Sequence, residues 1–326
     1  MKITASAPGK TFLLGEYSVL AGGSALLVAI NHRAMVNIYP SRSTEVLINA
    51  DCKRRESIEH TPILESAIQG LEERELFDRG CLENHTVELD TSSFYSGGIK
   101  LGLGSSAALM VAILKALCPE KLAPNQLLDL ASHCHTAFQG GLGSGADIAT
   151  SVMEGCIHFK QGRSPVSAEI PPGLHLLFIW SGEAAITTNY VHQFDAWRRH
   201  APTAAAEHLS ALGSVSRAAI ADFESRQTEE FVDKVAQFNQ QLVKLSEETG
   251  LHFYTPAHQQ LREVVEQAQC VYKPSGAGGG DFGIAFSTDA QKIMRLSEFL
   301  KLDGYLVLSA GEMIPSSKCD ARSING

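Results

Sequence analysis

The chain has 326 residues, of which 44% are hydrophobic and 19% charged, and carries a formal net charge of -9. That length holds one large domain or two of ordinary size, and two is the expectation. The acidic balance excludes a nucleic-acid surface, which needs clustered Lys and Arg; the nearest such run, Lys53-Arg54-Arg55, meets Glu56 and Glu59 and reads as a solvated loop.

The seven cysteines, at 52, 81, 118, 134, 156, 270 and 319, are odd in number and form no C-x-x-C pair. They fit reduced thiols in a cytosol better than a disulfide framework or a zinc site. The first residues, MKITASAPGKTFLL, do not make a signal peptide, and no apolar run reaches the roughly 18 residues of a membrane span. A cytoplasmic protein without membrane partners is expected.

In chain order, short apolar or alternating runs bounded by turn residues predict strands at Ile3 to Ser6, Thr11 to Leu14, Ser24 to Ile30, Ala34 to Tyr39 and Glu45 to Ile48. A helix is expected over Pro62 to Leu76 and a strand over His85 to Leu89. Leu109, Ala112, Ile113, Ala116 and Leu117 recur at helical spacing after Gly102-Leu103-Gly104, with Ser105 or Ser106 as the cap. Another helix follows Pro124, with Leu127, Leu130, Ala131, Cys134 and Phe138 on one face and Gly140-Gly141 at its end. Strands are expected at Gly155 to Phe159 and Leu174 to Trp180, and Pro171-Pro172-Gly173 between them marks a domain boundary. From Ala201 to Glu248 the pattern is helical, with Phe231, Val235, Phe238, Leu242 and Leu245 facing a core. The end reads helix, glycine loop, strand (Gly283 to Phe286), helix (Ala290 to Leu300) and strand (Gly304 to Ser309).

Three segments carry candidate chemistry. Gly102-Leu103-Gly104-Ser105-Ser106-Ala107 fits G-x-G-x-x-A, but Tyr95-Ser96-Gly97-Gly98 precedes it in place of an apolar strand, and Glu120 lies in a Pro-flanked loop. No Gly-Lys-Ser/Thr opens the helix, so a Walker loop is excluded too. What remains is either a tight turn or, the favoured reading, a backbone cradle whose following helix offers its positive end to phosphate. The stretch KPSGAGGGDFGIAF, Lys273 to Phe286, puts five glycines in eight residues, as a flexible turn or as a loop pressed against a ligand. Its Asp281-Phe282-Gly283 spells a protein-kinase magnesium motif, but the His-Arg-Asp and V-A-I-K partners are missing; Asp281 serves either the loop or a cap. Asp147, behind Gly143-Ser144-Gly145-Ala146, would alone be an N-cap, and Lys10 alone a surface lysine. His133 and His135 point apart on a helix, so a metal pair is not expected.

Taken in order, Pro8-Gly9-Lys10 with Gly15-Glu16-Tyr17, Gly102 to Ala108, Gly143 to Asp147 and Ser275 to Asp281 resemble the motifs of the GHMP kinases, the superfamily of galactokinase, homoserine kinase, mevalonate kinase and phosphomevalonate kinase. The resemblance implies a two-domain α/β (α+β) fold: an ATP-binding, ribosomal-protein-S5-like domain over residues 1–170 and a ferredoxin-like domain over 171–326. It implies ATP and Mg2+ as cofactors. Gly102, Leu103, Gly104, Ser105, Ser106 and Ala107 would hold the triphosphate, with Ser106 also on the metal. Asp147 would be the catalytic aspartate, with Lys10 orienting it and neutralising charge. Acceptor contacts would fall to Lys100, Ser144, Gly145, Ala185, Thr187, Ser275, Gly276, Ala277, Gly278 and Gly279.

Within the superfamily, KPSGAGGGDFGIAF is similar to the third motif of the phosphomevalonate kinases, with Phe282 where Cys is usual. Trp180 to Thr187 is similar to their W-T-G-x-x-A-S-T, with departures at Ser181 and Ile186. The implied acceptor is phosphomevalonate, a phosphate and carboxylate compound, for which Lys10, Lys100, Lys273, Arg198 and Arg199 are candidate cations. The implied partner is therefore a small molecule, and the chain is expected as a monomer or homodimer. Alternatives are a mevalonate kinase or a sugar kinase, needing Asp147 as a true base, and a nucleotide-binding regulator without turnover.

Overall fold

The computed structural model describes residues 2–141, 143–185 and 187–314. Two antiparallel-dominated sheets organise it. The first takes β1 (Ile3–Leu14), β2 (Ser24–Pro40), β3 (Glu45–Asn49), β4 (Lys53–Glu56) and β5 (His85–Asp90), together with β8 (Cys156–Lys160) and β9 (Val166–Ala168) from later in the chain. β6 (Tyr95–Ser96) and β7 (Ile99–Lys100) form a small separate ribbon. The second sheet has the order β11 (Val271–Pro274), β12 (Phe282–Ser287), β10 (His175–Trp180), β13 (Val307–Ser309).

The four short strands expected at the start are two long ones. β1 runs through Pro8-Gly9-Lys10 and pairs with β2 from Ile3–Ile38 to Leu14–Leu26, with register shifts at Pro8/Lys10 and Phe12/Leu14. Proline and glycine are tolerated there because the ladder is broken at a bulge. Lys53-Arg54-Arg55, expected as a loop, is the edge strand β4; its charged side chains keep that edge from pairing further.

Between the strands lie α1 (Pro62–Glu72), α2 (Ser105–Leu117), α3 (Pro124–Phe138) and α4 (Ala146–Met153). α2 is the centre of the core: Ala107, Ala108, Met110, Val111, Ala112, Ile113, Leu114, Ala116 and Leu117 are all buried, against β1 and β2. Burial of each large side chain in that set contributes roughly 1.5–3 kcal/mol, which is enough to fix the helix rigidly. On α3, Leu127, Leu130, Ala131 and Cys134 are buried as expected, but Phe138 is 38% exposed and His135 takes the buried position.

α7 (Thr228–Thr249), α8 (Pro256–Gln267), α9 (Ala290–Leu302) and α10 (Ala310–Met313) pack on the second sheet, whereas α6 (Pro202–Glu224) packs on α7 and on β2 of the first, and α5 (Thr187–His200) packs on α6. The single helical stretch expected over 201–248 is broken between α6 and α7, where Arg226 has φ 60°. Phe231, Val235, Phe238, Leu242 and Leu245 on α7 are all buried, so that stripe is core. Among the described residues no helix is long and apolar enough to cross a membrane.

Candidate active site

The phosphate-loop candidate sits where β1 meets α2. Lys10 N–H donates to the Leu103 carbonyl at 2.9 Å, which fastens the first motif to the second. The cap of α2 is Gly104, in left-handed conformation and with no side-chain bond, so Ser105 and Ser106 are not caps but lie in the first turn. An uncapped first turn leaves its N–H groups free for an anion, with the helix dipole behind them. The Lys10 ammonium lies 5.1 Å from the centre of the Phe12 ring and beside Gly104.

Asp147 is in the first turn of α4, whose cap is Gly145, and Oδ1 accepts the Ile148 N–H at 3.0 Å. Ser144 Oγ accepts the Ala146 N–H at 3.3 Å. His135 joins the two helix starts: Nε2 is hydrogen-bonded to Ser106 Oγ at 3.0 Å, and the ring feels the Asp147 charge. Burial holds the His135 pKa below the usual histidine range, and the aspartate opposes that shift. His133 faces away in an exposed pair with Glu73 at 3.2 Å.

The third motif, roughly 260 positions away in sequence, is fastened directly to the first. Ser275 Oγ accepts the Phe12 N–H at 3.0 Å and lies 2.8 Å from Thr11 Oγ1. Tyr17 O–H donates to the Ala277 carbonyl, and Glu16 Oε1 accepts the Gly276 N–H at 3.3 Å while meeting Lys273 Nζ. Lys273 is fully buried in that ion pair, so it is not a substrate cation as the sequence suggested. Burial pushes its ammonium pKa down, with Glu16 opposing. Arg198 and Arg199 are also engaged, both with Asp195, at 2.7 and 3.2 Å. Lys100 is exposed on β7.

The glycines of the loop have a reason inside the chain. A side chain at Gly278 would lie 2.7 Å from the Phe253 carbonyl, at Gly279 2.1 Å from the Tyr190 ring, and at Gly280 2.7 Å from the Glu183 carbonyl. Among the described residues, only at Gly276, of the four glycines at 276–280, is the space beside Cα open. His258 underpins the loop from below, with Nε2 on the Gly280 carbonyl at 2.8 Å and Nδ1 on Tyr272 O–H at 2.7 Å. Burial pushes its pKa down to about 4.

Asp281 closes the arrangement. Its Oδ1 accepts the Ala185 N–H at 3.0 Å, its own N–H donates to Glu183, and its carboxylate fills the space over Gly102, where a β-carbon would lie 1.9 Å from Oδ2. Burial raises its pKa to about 6, opposed by the Ala185 N–H and by the charges of Lys10 and Lys100. The residue therefore ties the third motif, the 181–185 segment and the phosphate loop together. Ile186 lies outside the described residues; Thr187 opens α5. A surface cleft of about 420 Å³ between the β1–β2 turn and α6, lined by Ser18, Gly22, Arg198, Leu209 and Arg217, holds none of the motif residues.

His135, His258 and Tyr190 were not foreseen in these roles. His135 had one usable signal, a polar side chain next to the apolar stripe of α3; the others are brought in by tertiary packing alone. A nucleotide fits the uncapped start of α2. Magnesium also fits the donor set: among the described residues no three His, Cys, Asp or Glu side chains form a metal cage, but Ser106 and Asp147 offer oxygen, and this ion typically takes one or two protein oxygens plus phosphates.

Residues 73–155 match the family described as GHMP kinases N terminal domain. The chain is 28% identical to phosphomevalonate kinase of Streptomyces sp. (strain CL190) over 87% of its own length and 89% of that protein. It is 32% identical to mevalonate kinase of Aeropyrum pernix over 52% of its length and 53% of that protein. Its fold is that of Streptococcus pneumoniae phosphomevalonate kinase in complex with phosphomevalonate and AMPPNP, with a TM-score of 0.78 at 24% identity over 94% of this chain and 99% of that one. With kinase relatives along nearly its whole length, a match to the GHMP N-terminal domain over residues 73–155 and a kinase fold, the chain is a phosphotransferase that resembles the GHMP kinases, phosphomevalonate kinase among them.

Proposed function

We propose that the chain transfers the γ-phosphoryl group of ATP to the terminal phosphate of (R)-5-phosphomevalonate, giving 5-diphosphomevalonate and ADP. The observation that carries this reading is the fastening of Ser275, Gly276 and Ala277 onto Thr11 to Tyr17, which puts the third motif beside Lys10 and the start of α2. It is supported by the Streptomyces relative, similar over nearly the full length of both chains. We also assign residues 1–170 to an ATP-binding domain and 171–326 to an acceptor-side domain, and place the protein in the cytoplasm.

In this reading an acceptor phosphate oxygen forms the new P–O bond as the bond between the β–γ bridging oxygen and the γ-phosphorus breaks. That oxygen is already anionic near neutral pH, so little proton abstraction is needed. The N–H groups of Ser105, Ser106 and Ala107 bind phosphate oxygens, and Lys10 neutralises charge on the transferring group. Lys10 also orients Asp147, which serves the acceptor. Magnesium held with the nucleotide, with Ser106 as a protein ligand, supplies neutralisation of the phosphate oxygens. Lys100, Ser144, Gly145, Ala185, Thr187 and the 275–279 loop are assigned to the acceptor.

The test is coupled ADP release with magnesium and ATP, offering phosphomevalonate, mevalonate, homoserine and a panel of sugars side by side. Turnover confined to phosphomevalonate is expected. Turnover on mevalonate favours the second reading, which the Aeropyrum relative motivates and in which Asp147 deprotonates a hydroxyl. Silence on every acceptor leaves a nucleotide-binding regulator.

A further inference from the structure

We infer that His135 is a positioning residue for the phosphate site, holding the Ser106 hydroxyl in one rotamer so that its oxygen is presented to the nucleotide-bound cation. The inference rests on the reading of Ser106 above and adds a residue to it. A serine hydroxyl carries one proton and two acceptor lone pairs, and it turns freely unless something fixes it. Here Ser106 sits in the first turn of a helix whose cap, Gly104, has no side chain to order the neighbourhood. The group within reach is His135 Nε2, at 3.0 Å, on a ring that is 4% exposed and comes from a different helix. α3 carries it on a turn that also buries Leu130, Ala131 and Cys134, so the imidazole is held by packing and not by the bond it makes.

An imidazole whose proton is on Nδ1 accepts the Ser106 O–H, and both hydroxyl lone pairs are left for a cation. That is the arrangement by which outer partners tune hard-metal ligands: they fix the ligand's direction without touching the ion. His135 is buried while Phe138, one turn on, is 38% exposed; a buried imidazole is costly unless it is hydrogen-bonded, and Ser106 supplies that bond.

The experiment uses the full chain as wild type, His135→Ala, His135→Gln, Ser106→Ala and the double variant Ser106→Ala/His135→Ala. Calorimetry measures ADP binding with magnesium and again with EDTA, and steady-state assays separate KM for ATP from kcat. Removing the imidazole is expected to weaken magnesium-ADP binding by about tenfold, the lower end for loss of an outer partner, while metal-free ADP binding is unchanged. The KM for ATP rises with it more than kcat falls, and His135→Gln recovers part of the loss. The double variant is expected to bind no more weakly than Ser106→Ala alone. Equal weakening with and without magnesium makes His135 structural and overturns the inference, as does wild-type binding by His135→Ala when Ser106→Ala is impaired. Normal magnesium-ADP binding by Ser106→Ala overturns the Ser106 reading itself. If His135→Ala does not fold, the Gln variant is read in the same two conditions.

Discussion

Lys273 and Glu16 form a buried ion pair across 257 positions of sequence, and among the described residues the second oxygen of that carboxylate, Oε2, has no hydrogen-bond partner. Such a pair is costly to form and far more costly to halve. Removing the cation alone, as Lys273→Ala, leaves an uncompensated buried carboxylate and is expected to destabilise by about 3–5 kcal/mol, measured by urea unfolding. The paired change Lys273→Met with Glu16→Gln should cost clearly less than the two single changes summed. Additive costs would mean that the charges do not see one another.

Gly102 and Asp281 compete for the same space. Gly102→Ala, at φ 69°, pays for a left-handed alanine, roughly 1–2 kcal/mol, and also displaces the carboxylate. Stability should therefore recover in part when Asp281→Ala is added, because the obstructing atoms are gone. Gly276→Ala, with open space beside it, should show the conformational cost alone. Thermal unfolding of the three variants beside wild type checks the order.

Two buried groups give opposite pH signatures. Asp281, raised to about 6 in the fold, holds its proton more tightly there than in the unfolded chain, so its contribution falls as pH rises from about 4 to 6. The cost above that window is roughly 3 kcal/mol before relaxation. Asp281→Asn is expected to be more stable than wild type at pH 8, and to lose the advantage at pH 4. Denaturant midpoints at the two pH values decide it.

His258, lowered to about 4, binds fewer protons folded than unfolded between about pH 4 and 6.5. Its contribution is complete above the unfolded value near 6.5 and is lost as pH falls to 4. In His258→Gln the acid limb of the stability profile should be flatter over that window, whatever the variant's loss at pH 8. An unchanged acid limb would show that the ring is not buried in its neutral form.

Asp147→Asn keeps the shape of the α4 start but removes the charge. On the proposed function kcat falls on the order of 10² or more, with ATP still bound. Equilibrium nucleotide binding alongside turnover checks both halves.

The order of helices and strands was legible because α2, α3 and α7 carry strong apolar periodicity, and the motif residues were legible as types. What escaped has physical causes. β4 is Lys-Arg-Arg-Glu, a strand held by its partner β3 and not by any apolar face. The α6–α7 break carries neither Gly nor Pro; Arg226 adopts the left-handed turn instead. α5, at 187–200, has a polar sequence whose buried face is little more than Phe194. At the site, the implied acceptor makes Lys273 a candidate cation because a single sequence does not show that Glu16 lies next to it. In the sequence His135 stands out only as a metal ligand beside His133, a pairing that helix geometry excludes; its bond to Ser106 depends on how α2 and α3 pack.

The stitching of residues 11–17 to 273–277 also sets an order in time. The ribosome completes the first segment some 260 residues before its partners exist, a wait on the order of ten to fifty seconds at ordinary elongation rates. Until then Glu16 has no ammonium, Thr11 no serine and Tyr17 no carbonyl to meet. The nascent chain holds its two-stranded opening β1–β2 unit in an unfinished state, and the candidate site comes into being only when the last glycine loop leaves the exit tunnel.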